Sequence, residues 1–245
     1  MAGRAVDARC ELAAIERSDR DPDAHLWDSE ELLAEAWVCA AEGAVSQAIS
    51  IARTAAATES RLDRPAREVC LLQAAAQFGD ASTAPRLAEL ADRIEGPRAP
   101  AAAAHAAALA ARSGDALVDA SRLYEAFGDR IAAADAAAQA VAVYQHVDRR
   151  GAALIALATA RRLADECHGA DTPALRAATV PVAMTARQRE IVSLAAKGMS
   201  NKEIAERLSM SVRSVEGHLL RASRRVGVNS RDELIAMVRK PTSPG

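Results

Sequence analysis

The sequence predicts an all-α protein in two parts, a helical-repeat array and, towards the C-terminal end, a module of four short helices. Three observations carry this. Alanine fills 62 of the 245 positions while only 2% are aromatic. Such a composition favours closely packed helices, since alanine combines the best helix propensity with the smallest apolar side chain. Apolar residues recur at helical spacing, as in Leu32, Leu33, Ala36 and Trp37 or Ile131, Ala134, Ala138 and Val141, and no alternating β-type run interrupts them. Between Met184 and Ile235, hydroxyl residues that start helices follow one another at short intervals. That is the punctuation of short helices joined by tight turns.

Taken in order, the array begins with a lone helix near 4–17 and continues as four helical pairs near 26–59, 62–96, 100–128 and 129–168. Glycines mark the pairing. Gly43, Gly79, Gly114 and Gly151 are separated by 36, 35 and 37 residues, and each precedes an amphipathic stretch. A helix, a glycine turn and a second helix repeating every thirty-odd residues is the pattern of a tetratricopeptide-like αα-solenoid. An irregular helical bundle is the other arrangement these residues allow. The cysteines Cys10, Cys39, Cys70 and Cys167 have no metal-like spacing and read as small core residues.

The array is assigned residues 1–170. A linker at 171–183 follows, marked by Pro173, Pro181 and small residues. The module is assigned 184–240, and 241–245 is read as a disordered tail.

Within the module, three capping boxes pair Thr185 with Gln188, Ser200 with Glu203 and Ser230 with Glu233. Ser211 is a further N-cap that opens a long helix from about 211 to 226, and Gly227 stands where a left-handed C-cap is expected. Ile191, Leu194 and Ala195 form the apolar side of the first helix, and Ile204, Ala205 and Leu208 that of the second. On the long helix Val215, Leu219, Ala222 and Val226 share one face at i, i+4, i+7 and i+11. The other face carries Arg213, Ser214, Glu216, Gly217, Arg221, Arg224 and Arg225. An apolar back with an arginine-rich front suits a helix that enters a DNA major groove.

Charge divides the chain at the same place. Residues 184–245 hold twelve Lys or Arg against six Asp or Glu, net +6, which leaves 19 against 27, net −8, for residues 1–183. Lys197, Lys202 and Lys240 all lie in the basic part. Release of counterions from phosphates favours nucleic acid as the partner of that part alone.

The segments MTARQREI, GMSNKEIAERLSMS, SVEGHLLRA and GVNSRDELI resemble, in order and spacing, the LuxR-type helix-turn-helix of bacterial transcription regulators. The likeness covers roughly a fifth of the chain. It implies a four-helix domain whose third helix lies in the major groove of double-stranded DNA, and a homodimer on a promoter operator. It also implies a fourth helix that contributes to dimerisation through Leu234, Ile235 and Val238. Carried over position by position, the DNA-binding residues are Lys202, Ser211, Arg213, Ser214, Val215, Glu216, His218, Arg221, Arg224 and Arg225. Lys202 and Ser211 stand at helix N-termini, where outward N–H groups attract phosphate. Ser214, Val215 and His218 match the family's Thr-Val-x-x-His pattern. His218 either hydrogen-bonds a phosphate or pins the recognition helix to its neighbours.

Three positions depart from the family. Glu216 stands where a basic residue is common, although a carboxylate can accept a hydrogen bond from cytosine N4. Gly217 and Leu220 replace side chains that commonly read bases. The operator is therefore not borrowed from other members.

FGDRIAAADAAAQAVAVY and RRLADECHGADTPALRA, ahead of the module, resemble the C-terminal portion of the large ATP-binding LuxR-family regulators. There is no G-x-x-x-x-G-K-[ST] phosphate loop for their ATPase module. The chain thus reads as a truncated or separately encoded portion, with no cofactor and no enzymatic activity. With no apolar run near 20 residues it is expected in the cytoplasm, off the membrane. The expected function is a sequence-specific transcription regulator whose array is a signal-receiving or interaction domain, reached through protein or small-molecule contact, with RNA polymerase or a protein effector among the expected partners. The alternative is a helical interaction module whose C-terminal domain binds DNA weakly or not at all.

Overall fold

The small side chains of the array let its helices approach closely, and the helices form where the apolar spacing puts them. The computed structural model describes residues 5–16, 28–179, 184–226, 228 and 230–239. The ends 4 and 17 of the first helix, residues 180–183 of the linker, Gly227 and the tail at 241–245 lie outside the described residues. So do the side chains of Arg225, Val226 and Val238. The array contains α1 (Ala5–Glu16), α2 (Asp28–Ala41), α3 (Val45–Arg61), α4 (Pro65–Gln77), α5 (Ala84–Ala91), α6 (Arg98–Ala110), α7 (Gly114–Ala126), α8 (Arg130–His146) and α9 (Arg150–Glu166). A 3₁₀ turn, Ala81–Thr83, leads into α5. No strand occurs among the described residues. Each helix of α1 to α4 and of α5 to α9 packs on the next, and α4 also reaches α6 and α8.

Alanine dominates the seams. Ala36, Ala40, Ala48, Ala52 and Ala75 have no exposed surface and knit α2, α3 and α4 together around Cys39 and Phe78. Of the four cysteines read as core residues, only Cys39 is buried; Cys10 is exposed, and Cys70 and Cys167 are half-buried. Their sequence neighbours carry no signal that separates the four.

One turn recurs between the helices. A residue with positive φ donates its N–H to the third carbonyl back, and the next residue donates to the fifth, which closes the helix end in a Schellman motif. At the end of α2 these are Gly43 N–H to Ala40 O at 3.0 Å and Ala44 N–H to Cys39 O at 2.9 Å. Gly79 and Gly128 do the same after α4 and α7, but Asp63, Arg112 and Asp148 do it after α3, α6 and α8. The glycine period therefore coincides with the turn only at Gly43 and Gly79. Gly114 is instead the first residue of α7, where an added Cβ would stand 2.6 Å from the Tyr144 ring. Gly151 lies in the first turn of α9 with open space around it.

A buried polar seam crosses the array. Gln139 Nε2 donates to the carbonyls of Ala76 and Gln77 at the end of α4, and its Oε1 accepts from His105 Nε2 at 2.6 Å. With Tyr124 OH 3.4 Å from His105 Nδ1, the imidazole is the neutral tautomer that donates through Nε2. Full burial lowers its pKa to about 4. Gln77 Nε2 donates to Asp135 Oδ2 at 2.9 Å, and Thr172 Oγ1 donates to Asp135 Oδ1.

Thr172 also accepts the Leu175 N–H at 3.2 Å and so starts a helix, α10 (Pro173–Thr179), inside the stretch read as linker. The proline read as a breaker occupies the first helical position, where its missing N–H is not needed. α10 packs on α8 and buries Ala174 and Ala178.

Candidate nucleic-acid interface

Four helices follow α10: α11 (Ala186–Ala196), α12 (Asn201–Arg207), α13 (Val212–Val226) and α14 (Arg231–Arg239). Their starts are the residues the sequence offers. Thr185 Oγ1 accepts the Gln188 N–H at 3.2 Å while Gln188 Oε1 accepts the Thr185 N–H at 2.9 Å. Ser200 and Glu203 form the same reciprocal box at 3.3 and 2.7 Å. Ser211 Oγ accepts from Ser214 N at 3.1 Å, and Ser230 Oγ from Glu233 N at 3.1 Å. The ends are Schellman turns again, with Gly198 at φ +91° after α11 and Ser209 at φ +49° after α12.

These short helices cohere through one apolar core. Ile191, Leu194, Ile204 and Val215 have no exposed surface, and Ala195, Ala205, Leu208, Leu219 and Ala222 are buried with them. Two tethers fix the helix ends. Arg187 Nη2 donates to Leu208 O at 3.1 Å, at the turn between α12 and α13, and Arg231 Nη2 donates to Met199 O at 2.7 Å.

With its back buried, α13 turns Arg213, Ser214, Glu216, Leu220, Arg221 and Arg224 to solvent. Leu220 is 54% exposed, a large apolar side chain on a charged face, and such a group suits contact with a thymine methyl. Gly217 leaves room for its neighbour: the Arg221 guanidinium lies 3.5 Å from where a Cβ would stand. Lys202 and Ser211 are exposed at the starts of α12 and α13.

His218 is half-buried, and its Nδ1 is buried without a hydrogen-bond partner among the described residues. Burial lowers its pKa, and the charges of Arg221 and Arg187 lower it further. At neutral pH it is therefore an uncharged, half-buried ring.

Two expected contact residues are placed elsewhere. Val215 has no exposed surface, so it belongs to the core that positions α13 and not to the face that would meet DNA. Leu234, read as a dimerisation residue, is likewise fully buried in the domain's own core, and Ile235 packs half-buried against that core. A four-helix domain this small needs both side chains for its own interior. The Arg225 and Val238 side chains lie outside the described residues.

Sequence reasoning missed a set of polar residues on the other side of the domain. Glu190 is buried, 7% exposed, although it sits on a short helix rich in charge. Its carboxylate accepts from the Ser46 backbone N–H and hydroxyl, both at 2.7 Å, on α3 of the array. Arg187 binds Ser46 and Glu190, Lys197 Nζ donates to Ala41 O at 2.9 Å, and Arg207 pairs with Glu42. Burial pulls Lys197 down to about 8. No local pattern announces contacts that span more than 140 positions.

The arrangement is that of a helix-turn-helix DNA-binding domain: two capped helices with a tight turn between them and an exposed, arginine-bearing second helix. Residues 182–238 match the family model described as bacterial regulatory proteins, luxR family, so this part of the chain is a LuxR-family domain. It is similar to the tetrathionate response regulatory protein TtrR of Salmonella typhimurium, 43% identical over 61 residues, which are 25% of this chain and 30% of that protein. It is also similar to the oxygen regulatory protein NreC of Staphylococcus aureus, 44% identical over 52 residues, 21% of this chain and 24% of that one. The matches thus span less than a third of the relatives' length. No solved structure matches the chain. Among the described residues no helix is long and apolar enough to cross a membrane.

Proposed function

We propose that this chain is a transcription regulator that binds double-stranded DNA sequence-specifically, with α13 in the major groove. The observation that carries the reading is the two-sided character of α13 within a LuxR-family domain. Val215, Leu219 and Ala222 bury one side, while Arg213, Arg221 and Arg224 stand exposed on the rest. A helix held this way presents guanidinium groups to guanine edges and phosphates. The relatives support the assignment by name, one being a tetrathionate response regulatory protein and the other an oxygen regulatory protein. The array, far longer than the 61 and 52 residues those relatives match, is the signal-receiving or interaction part of this reading. RNA polymerase or a protein effector is its partner, and a homodimer on a palindromic operator is the DNA-bound form.

The test is selection of an operator from random duplex DNA, followed by a salt titration of binding by the full chain and by an Arg221→Ala/Arg224→Ala variant. If both side chains meet phosphate, the slope of log K against log salt falls in magnitude by about 1.8. If either reads a base, its loss also flattens the preference at that position by about 1–3 kcal/mol. Failure of selection to enrich any sequence, with binding indifferent to both substitutions, would remove the regulator reading and favour an interaction module.

A further inference from the structure

We infer that the turn between α2 and α3 is a latch that holds the DNA-binding domain against the acidic array and is opened by competition from DNA. The proposal rests on the regulator reading and concerns the control of that same domain.

The contact is built, not incidental. α3 begins at an N-cap position filled by Ala44, which has no side chain able to accept the free N–H groups of the first turn. Glu190 supplies that function from the other domain, since its carboxylate takes the Ser46 N–H and hydroxyl at 2.7 Å each. An anion at a helix N-terminus also meets the positive end of the helix dipole. Beside it, Glu42 is gripped from two sides. Arg9 of α1 donates to both of its oxygens, at 3.2 and 2.9 Å, and Arg207 of α12 pairs with Oε2. Burial acts to raise the Glu42 pKa, but the bonds from Arg9 and Arg207 outweigh it and hold the group ionised. Gly43 lets the turn come close: a Cβ there would stand 2.9 Å from Ser193 Oγ on α11.

The latch uses the charge division seen in the sequence. It neutralises Arg207 of the basic domain against Glu42 and holds Arg187 on the Ser46 hydroxyl and Lys197 on the Ala41 carbonyl, three cations that would otherwise turn to phosphates. It does so without covering the recognition helix: among the described residues no hydrogen bond or ion pair joins an exposed residue of α13 to the array. Closed, the protein still presents α13, but with a weaker positive field. DNA and the array compete for the same cations. The seam is open as well as polar, with a cleft of about 750 Å³ lined by Glu42, Ser46, Ser50, Arg207 and others. Such a junction separates without exposing a large apolar face.

The experiment compares the full-length wild type with Glu42→Gln and with Glu95→Gln, an exposed acid on the array that makes the same change in net charge. Amide hydrogen exchange at Ser46 reads the latch without DNA, because that amide is bonded to Glu190 only when the domains are docked. Binding to a non-specific duplex reads the consequence. The expected result is at least tenfold faster exchange at Ser46 in Glu42→Gln, several-fold tighter DNA binding and a steeper salt dependence. Glu95→Gln should leave the exchange unchanged, and DNA added to the wild type should speed it. Unchanged exchange in Glu42→Gln overturns the latch, and faster exchange with unchanged DNA affinity overturns its competition with DNA. If none of the proteins binds DNA, the regulator reading fails and the competition with it, while the exchange still reports whether the turn docks.

Discussion

Asp135 is a carboxyl group with no exposed surface in the middle of an alanine-rich helix, and its replacement by asparagine gives a quantitative test of the polar seam. Burial is the largest influence on it and raises its pKa; the donors Thr172 and Gln77 oppose this, and nearby Asp129 adds to it, leaving the group at about 7 against an ordinary 3.8. The folded protein therefore holds the proton more tightly than the unfolded chain. A carboxyl raised in this way destabilises the fold fully above pH 7, and the cost is relieved as pH falls from 7 towards 3.8. At about 1.4 kcal/mol per pH unit, the three-unit span corresponds to about 4 kcal/mol. Asp135→Asn removes this term and keeps the shape. Urea unfolding of wild type and variant at pH 5, 6, 7 and 8, followed by helical circular dichroism, isolates it, because every other titrating group cancels in the difference. The variant should gain most relative to wild type at pH 8. The difference should shrink by about 3 kcal/mol on going to pH 5, from the same slope. A difference that does not vary with pH would show that Asp135 titrates normally and that the seam imposes no such penalty.

Four further outcomes follow from the same structure. His105, fully buried and held neutral with a pKa of about 4 against 6.5, contributes stability that is lost as pH falls from 6.5 to 4; His105→Gln should flatten the acid limb of the unfolding curve by about 3 kcal/mol. Ile191→Ala opens a cavity in the core of the basic domain and should cost about 2–5 kcal/mol, read as loss of the α11–α14 amide protection together with DNA binding. Ser200→Ala removes the side-chain arm of a capping box, leaving the backbone N–H to Glu203, and should lower stability by about 1 kcal/mol in urea unfolding. Gly114→Ala drives a methyl group against the Tyr144 ring, whose hydroxyl is tied to Asp115 at 2.7 Å; it should cost about 1–3 kcal/mol and lower Tm, whereas Gly151→Ala, with open space around it, should not.

Much of the helix map was legible because its signals are local. Thr185, Ser200, Ser211 and Ser230 each name a helix start through one side chain and the N–H three residues on, and each does so in the structure. The apolar stripe Val215, Leu219 and Ala222 likewise reports a buried face directly. Local signals fail where one residue type serves two ends. Pro173 and Thr172 look like a linker and begin a helix. Asp63, Arg112 and Asp148 adopt the left-handed turn that glycine was expected to mark, at φ of +50°, +49° and +56°. The helix end they close is stabilised enough by its two hydrogen bonds to accept a side chain there. The family pattern misled at Val215 for a different reason. A motif records which residues recur together, and a core residue that orients a helix recurs as faithfully as one that touches the ligand. Glu190, Glu42 and Ser46 were beyond any local reading, because their meaning lies in a contact between two domains.

Burial of Leu234 narrows what α14 can do in a dimer. Among its described side chains Arg231, Asp232, Glu233 and Ala236 are exposed, and that part of the surface is polar and mixed in charge. A surface of that kind buries little apolar area, and exposed ion pairs contribute roughly 0–1 kcal/mol each. Pairing through those side chains alone is too weak to persist in solution, and dimerisation resting on them would depend on DNA holding two copies at neighbouring half-sites. That dependence is measurable: sedimentation of the free protein should show a monomer at micromolar concentration, while a palindromic operator should bind two copies cooperatively. Half-site DNA should bind one. A stable dimer in the absence of DNA would place the pairing surface beyond those side chains, with Leu154 and Ile155 on α9 of the array, 67% and 72% exposed, as candidates.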